Sequence, residues 1–364
     1  MMRHSMSIQR FVHVCNLLIL GGLLALAPGC NDGPADEVPL DDVVIDLHVA
    51  RLEQDMAAAA PAYRSGKPLD SSAIYKQHFA QHSAFLADWM FGGDSRIATD
   101  SVLTVVMHEF MRDSHGLALI DSVRQLLPSG YDPKAQLEEL FKRFHYYFPD
   151  KALPTVVTFV DGYPQTMQQG IDQVFISPRF LGIGLHYFLG PNFKFYPSDM
   201  PKYIRRRCAT EHLPALVAHK IAETMVPDPD LTQNPVLIDF VVAQGIRMTV
   251  VDKLLGPAVQ DSIKLFYTTD QIEWADYYQA KAYKDLMGEL YEIDAQLLRR
   301  YMDDSPFTSQ LNRESAPRLG QYLGWKIVGE YLKKKPETTL PELIKTKDYR
   351  RVFQESGYRP KAVE

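Results

Sequence analysis

Cysteine is the scarcest useful residue here: Cys15, Cys30 and Cys208 are the only three in 364 residues, too few for a disulfide framework. Dense positive charge is also missing. Arg205-Arg206-Arg207 is a short basic run that reads as a solvated helix start, and nothing resembles the clustered Lys and Arg of a nucleic-acid footprint. No glycine-rich phosphate loop exists, because Gly182-x-Gly184 is followed by Leu-His-Tyr rather than Lys-Ser/Thr. No Ser or Cys sits in a nucleophile-elbow context. The longest apolar run, Leu17 to Leu26, is too short to cross a bilayer as a helix. Internal repeats and low-complexity tracts are absent, so solenoid and disordered classes drop out.

What remains is ordinary globular composition, 46% hydrophobic and 23% charged, with 19 Tyr and 18 Phe to fill a large core. The N-terminus follows a different logic. Arg3 and Arg10 precede the Leu17–Leu26 run, and small residues then lead into Cys30, so residues 1–29 read as a signal peptide. The junction Leu26-Ala-Pro-Gly-Cys30 resembles a bacterial lipoprotein processing site, which makes Cys30 the lipid-attachment residue, carrying palmitate-like acyl chains. An ordinary secretory signal with a chance cysteine is the alternative. Removing this leader takes two of the 39 basic residues and none of the 45 acidic ones, which moves the net charge from −6 to −8. Cys208 is then left without an intramolecular partner and reads as a small core residue. Residues 30–42, acidic and carrying Pro and Gly, read as a flexible tether, and the body is residues 43–364.

Within the body, Ile45, Val49, Leu52 and Met56 recur at helical spacing, and helices are expected over Ile74–Met90, from Asp100 or Ser101 to Leu127, and from Pro133 to about Phe148. Thr155–Val160 and Gln173–Ser177 are β-branched and aromatic and predict strands, whereas the glycines from Gly182 to Gly190 predict a loop. Pro201 begins another helix. Helices follow again over Val236–Leu255, Gln271–Tyr301 and Pro317–Lys335. The order is helices, a small β unit, then helices: α+β, mainly α-helical, with a helical part 43–150 and a core 151–364.

The central stretch is Glu211 to Val226, a largely apolar helix opened by Pro214. It places His219 and Glu223 four residues apart on one face, where burial demands partners. A small β unit, then a helix with His-Glu-x-x-His, then a later helix carrying Glu, is the layout of gluzincin zinc peptidases. Here the layout is present and the chemistry is eroded. His219 takes the first ligand position, Lys220 replaces the base, Glu223 replaces the second His, and Gln244-Gly245 stands where Glu-Gly is expected. A cation at Lys220 both removes the water-activating carboxylate and repels a metal. These are therefore vestigial positions: no catalytic residue, no bound metal and no cofactor is expected, only a buried polar cluster with Gln244 or Arg247. His108-Glu109 also begins like the zinc motif, but Arg112 occupies the second ligand position, and His108 and His115 merely share a helix face. The aromatic segment 186–203, with Tyr187 among it, reads as core packing or, alternatively, as a binding surface.

Several segments together resemble the gliding motility lipoprotein GldB family. They are Phe180-Leu-Gly182, Phe195 to Ile204, Ser315-Ala-Pro-Arg-Leu-Gly-Gln-Tyr-Leu-Gly-Trp-Lys-Ile-Val328, and Gly357 to Lys361. The similarity runs from about Ile45 to the C-terminus. It implies a degenerate gluzincin-like (zincin-like) fold and a lipoprotein of the cell envelope. It further implies anchoring to the inner or outer membrane through Cys30, with the body facing the periplasm. The implied partners are envelope proteins of the motility and associated secretion machinery, and membrane lipid, with no nucleic acid. Two alternatives remain open: a metallopeptidase using an unorthodox His219/Glu223 site, and a peptide or glycan binder using the aromatic segment and the 173–177 strand edge.

Overall fold

The computed structural model describes residues 38–162, 173–308 and 313–361. The leader, Cys30 and the start of the 30–42 tether lie outside the described residues. The sheet has four strands in the order β1-β2-β4-β3: β1 (Val49–Arg51), β2 (Thr155–Phe159), β3 (Val174–Ile176) and β4 (Phe180–Gly184). β1 and β4 run parallel to β2 on either side of it, and β3 runs antiparallel to β4. The expected helix from Ile45 therefore starts later. Val49 to Arg51 is drawn into strand pairing with Val156 to Thr158, and helix α1 (Leu52–Arg64) begins only afterwards. Arg51 and Thr158 both donate hydrogen bonds at 2.6 Å to the buried Glu53, which ties strand to helix at this junction. The glycines that suggested a loop belong instead to β4. A Cβ at Gly182 would lie 2.9 Å from the Phe85 ring, so glycine is what lets Phe85 and Phe159 cover the central strand.

The helices follow in chain order. A short α2 (Ser71–Ile74) runs through a π turn and a 3-10 turn into α3 (Ser83–Phe91), so the expected second helix is continuous in path but irregular. The expected third helix is two, α4 (Asp100–Arg112) and α5 (Ser114–Leu126). It breaks because Asp113 turns extended and its carboxylate accepts from the His115 and Gly116 N–H groups, capping a new start. Next come α6 (Pro133–Tyr147), the short α7 (Lys202–Arg205), α8 (Leu213–Met225) and α9 (Leu237–Leu255). The single long helix expected over 271–301 is three, α11 (Thr269–Tyr277), α12 (Gln279–Glu289) and α13 (Ala295–Met302), preceded by α10 (Asp261–Leu265). α14 (Leu319–Lys334), α15 (Leu340–Lys345) and α16 (Tyr349–Ser356) complete the chain, the last two unforeseen. The architecture is α+β and mainly helical, as the sequence implies. No described helix is long and apolar enough to cross a membrane.

α9 is the spine. It is almost entirely buried, from Leu237 to Leu255, and packs on α8, α14 and α16. Its closest neighbour is α14. A Cβ at Gly245 would sit 2.1 Å from the Gly324 carbonyl oxygen, and one at Gly324 2.0 Å from the Val241 carbonyl oxygen. The two backbones touch, which only glycine on both sides permits.

Candidate functional site

Beside that crossing lies a cavity of about 370 Å³, and the four eroded positions all line it: His219, Lys220 and Glu223 from α8 and Gln244 from α9. Their partners are not one another. His219 Nε2 lies 2.7 Å from the Lys264 carbonyl oxygen. Because a carbonyl can only accept, Nε2 carries the proton and the lone pair is left on Nδ1. Burial, aided by the nearby Arg318 and Arg207 charges, outweighs the Lys264 carbonyl bond and the Asp304 charge and holds the imidazole down at about 4, so the ring is neutral at pH 7. Glu223 is exposed at the rim. Arg247 also lines the cavity, with its guanidinium donating to the Val226 carbonyl at 2.7 Å and pairing with Asp228 at 2.9 Å.

The inner wall comes from residues the sequence did not single out as site residues. Asp304 accepts a two-pronged bond from Arg207, with Nη2 at 2.7 Å from Oδ1 and Nη1 on Oδ2. Arg318 Nε lies 3.6 Å from the same carboxylate, and its Nη2 donates to the Leu265 carbonyl. Burial alone would raise the Asp304 carboxyl, but the Arg207 bonds and the Arg318 charge outweigh it and hold it below its ordinary value. The Phe266 ring is the hub of this wall. The Arg207 guanidinium lies 4.8 Å from its centroid, Arg318 5.8 Å, and the His219 ring 4.9 Å.

Backbone conformation explains how these groups converge. Phe266 ends α10 at φ 54° and Arg318 precedes α14 at φ 46°. A left-handed backbone at a bulky residue persists only where surroundings hold it, and such positions gather at functional sites. Two of the three described non-glycine residues with positive φ meet here. The Arg205-Arg206-Arg207 run, expected to be solvated, is instead engaged at every member: Arg205 donates to the Met200 and Pro197 carbonyls, Arg206 to the Phe266 carbonyl, and Arg207 to Asp304.

A zinc ion does not fit these residues. Four cations, Arg207, Lys220, Arg247 and Arg318, line the cavity, and the inner carboxylate is already forked by arginine. Among the described residues no group of three or more His, Cys, Asp or Glu is arranged to hold a metal ion. His108 and His115 fall on separate helices, so their shared face dissolves. The aromatic segment is core: Tyr187, Phe188, Phe193 and Tyr196 are all buried, which removes Tyr187 as a surface contact. Cys208 is fully buried, and burial pushes its thiol up to about 11.

Fold and cavity together define a mainly helical α+β protein built around a buried helix, with an arginine-lined polar hole beside it. The model of the gliding motility protein GldB family matches residues 34–360, nearly the whole body. The chain belongs to that family. No curated protein and no solved structure matches it.

Proposed function

We propose that this protein is a membrane-anchored lipoprotein, acylated at Cys30, whose periplasm-facing body works by protein–protein contact in gliding motility or the secretion machinery that motility depends on, without catalysis. The family membership supports the setting. The observation that carries the non-catalytic reading is the arginine-lined cavity at His219, Lys220, Glu223 and Gln244: a lysine stands where the water-activating carboxylate would be, the inner carboxylate of Asp304 is held by Arg207, and the charges around it oppose a divalent cation. His219, Lys220, Glu223 and Gln244 are then remnants of a peptidase layout whose zinc and base have been lost.

The test is a deletion strain complemented with wild-type protein, with Cys30→Ser and with Lys220→Ala. Deletion and Cys30→Ser should impair surface spreading or secretion, the latter with release of the body from membranes, while Lys220→Ala should restore both. A Lys220→Ala strain as defective as the deletion, or near-stoichiometric zinc that is lost in His219→Ala, would overturn the reading in favour of a metallopeptidase.

A further inference from the structure

The cavity wall holds polar atoms with nothing to bond. Arg207, Arg318 and Gln321 are 7%, 8% and 6% exposed, all line the cavity, and in each a buried atom has no hydrogen-bond partner: Nε of Arg207, Nε of Arg318, whose 3.6 Å ion pair with Asp304 is longer than a hydrogen bond, and Oε1 of Gln321. Leaving such atoms unmet costs stability, and more so for charged groups. Three on one wall therefore mark a place prepared for something else. The charge balance points the same way. Two guanidinium groups share the single carboxylate of Asp304, and the neutral His219 adds nothing, so the inner cluster carries one positive charge too many.

These needs identify a ligand. Two unmet N–H donors on guanidinium groups and one surplus positive charge call for a carboxylate, the planar partner arginine fits best. The unmet Gln321 oxygen calls for an N–H close to that carboxylate. One common chemical unit carries both: the α-carboxylate with its neighbouring nitrogen. Leu216, Phe266 and Met302, which line the same cavity, offer apolar surface for a hydrophobic side chain. The cavity's size suits one or two residues, near the lower end of ordinary ligand pockets, ~300–1,000 Å³.

We propose that this cavity binds an α-amino carboxylate unit, held by Arg207 and Arg318 at the carboxylate and by Gln321 at the nitrogen, supplied either by the C-terminal residue of a peptide chain or by a free amino acid. The assignment rests on reading the cavity as a binding rather than a catalytic site. It gives the proposed contact function a chemical handle, since a chain end seated here would hold a partner protein.

The experiment uses the full chain in detergent micelles and measures binding by calorimetry to three probe sets: tetrapeptides with free C-termini, the same tetrapeptides as C-terminal amides, and free amino acids. Binding that needs the carboxylate, weakened about tenfold or more by amidation, is expected. Gln321→Met, which keeps volume and leaves Asp304 untouched, should weaken it about as much while the melting temperature stays near wild type. Arg207→Gln should abolish it, and near-ultraviolet circular dichroism reports whether that variant still folds. Tighter binding of peptides than of amino acids assigns the site to chain ends; the reverse assigns it to small acids. Equal binding of acids and amides, no binding of any acid, or a Gln321→Met protein that binds like wild type overturns the proposal. None of these outcomes touches the Cys30→Ser and spreading experiments, which test the motility reading separately.

Discussion

Gln244 and Gly245 are neighbours on one helix, yet they face opposite kinds of environment. Gly245 meets Gly324 of α14 backbone to backbone, in a seam with no room for a single added carbon. Gln244 lines the polar cavity, as does Gln321, three residues before Gly324 on α14. The same pair of helices thus makes a dry contact at one turn and a hole with unmet polar groups at the next. The seam is what stability asks for: close packing and no polar atoms in need of partners. The cavity goes against stability at several atoms, and that kind of local cost is the usual mark of a site kept for function.

The contrast can be broken from either side. Gly245→Val or Gly324→Val should do the most damage, because the added atoms meet helix backbone rather than a movable side chain. A loss of more than about 3 kcal/mol, seen as failure to fold or a collapsed denaturation midpoint, is expected. Asp304→Asn should come next, at about 3 kcal/mol, since it strips the counter-charge from two buried guanidinium groups. If it proved harmless, the inner wall would not be the buried network described.

A pH titration sharpens the comparison at a smaller scale. His219 is held down to about 4 against an ordinary 6.5, so between those values the unfolded chain binds a proton that the folded protein refuses. Its contribution is complete above pH 6.5 and is lost as pH falls toward 4, on the order of 1–2 kcal/mol after allowance for partial solvent access. Asp304, held below its ordinary value, keeps its contribution above about pH 3.8 and loses it on further acidification. Denaturation midpoints of His219→Gln, which keeps a donor for the Lys264 carbonyl, should show a flatter slope between pH 6.5 and 4 than wild type. The smallest effect is expected at Lys220→Ala, within about 0.5 kcal/mol by chemical denaturation. A large loss there would mean that the cavity mouth, and not only its inner wall, carries structure.

The helical spacing of His219, Lys220 and Glu223 made half of this site legible before any coordinates, because side chains one turn apart on an apolar helix must share a face. The other half was hidden for a physical reason. Arg207, Phe266, Asp304 and Arg318 come from helix ends and connections, and two of them need left-handed backbone that no propensity rule assigns to Phe or Arg. The one written signal was the Ser315–Val328 stretch, which holds Arg318 and Gln321 and which stood out only by family resemblance. The helical class and the strands at 155 and 174 were readable from β-branching and periodicity. β4 was not, because Gly182 makes room for the Phe85 and Phe159 rings rather than forming a turn. β1 was not, because three residues are claimed by pairing with a distant segment against a local helical pattern.

That pairing has a consequence for how the protein is made. Glu53 and Thr158, joined across the β1–α1 junction, stand 105 residues apart in the chain. Synthesis delivers β1 long before β2, so Val49 to Arg51 stand without a strand partner while everything between is still being added. On any route that delivers the chain from its N-terminus, the first strand to arrive is left as an unpaired edge until β2 follows. A holding chaperone would therefore have its longest task at the residues nearest the start of the fold.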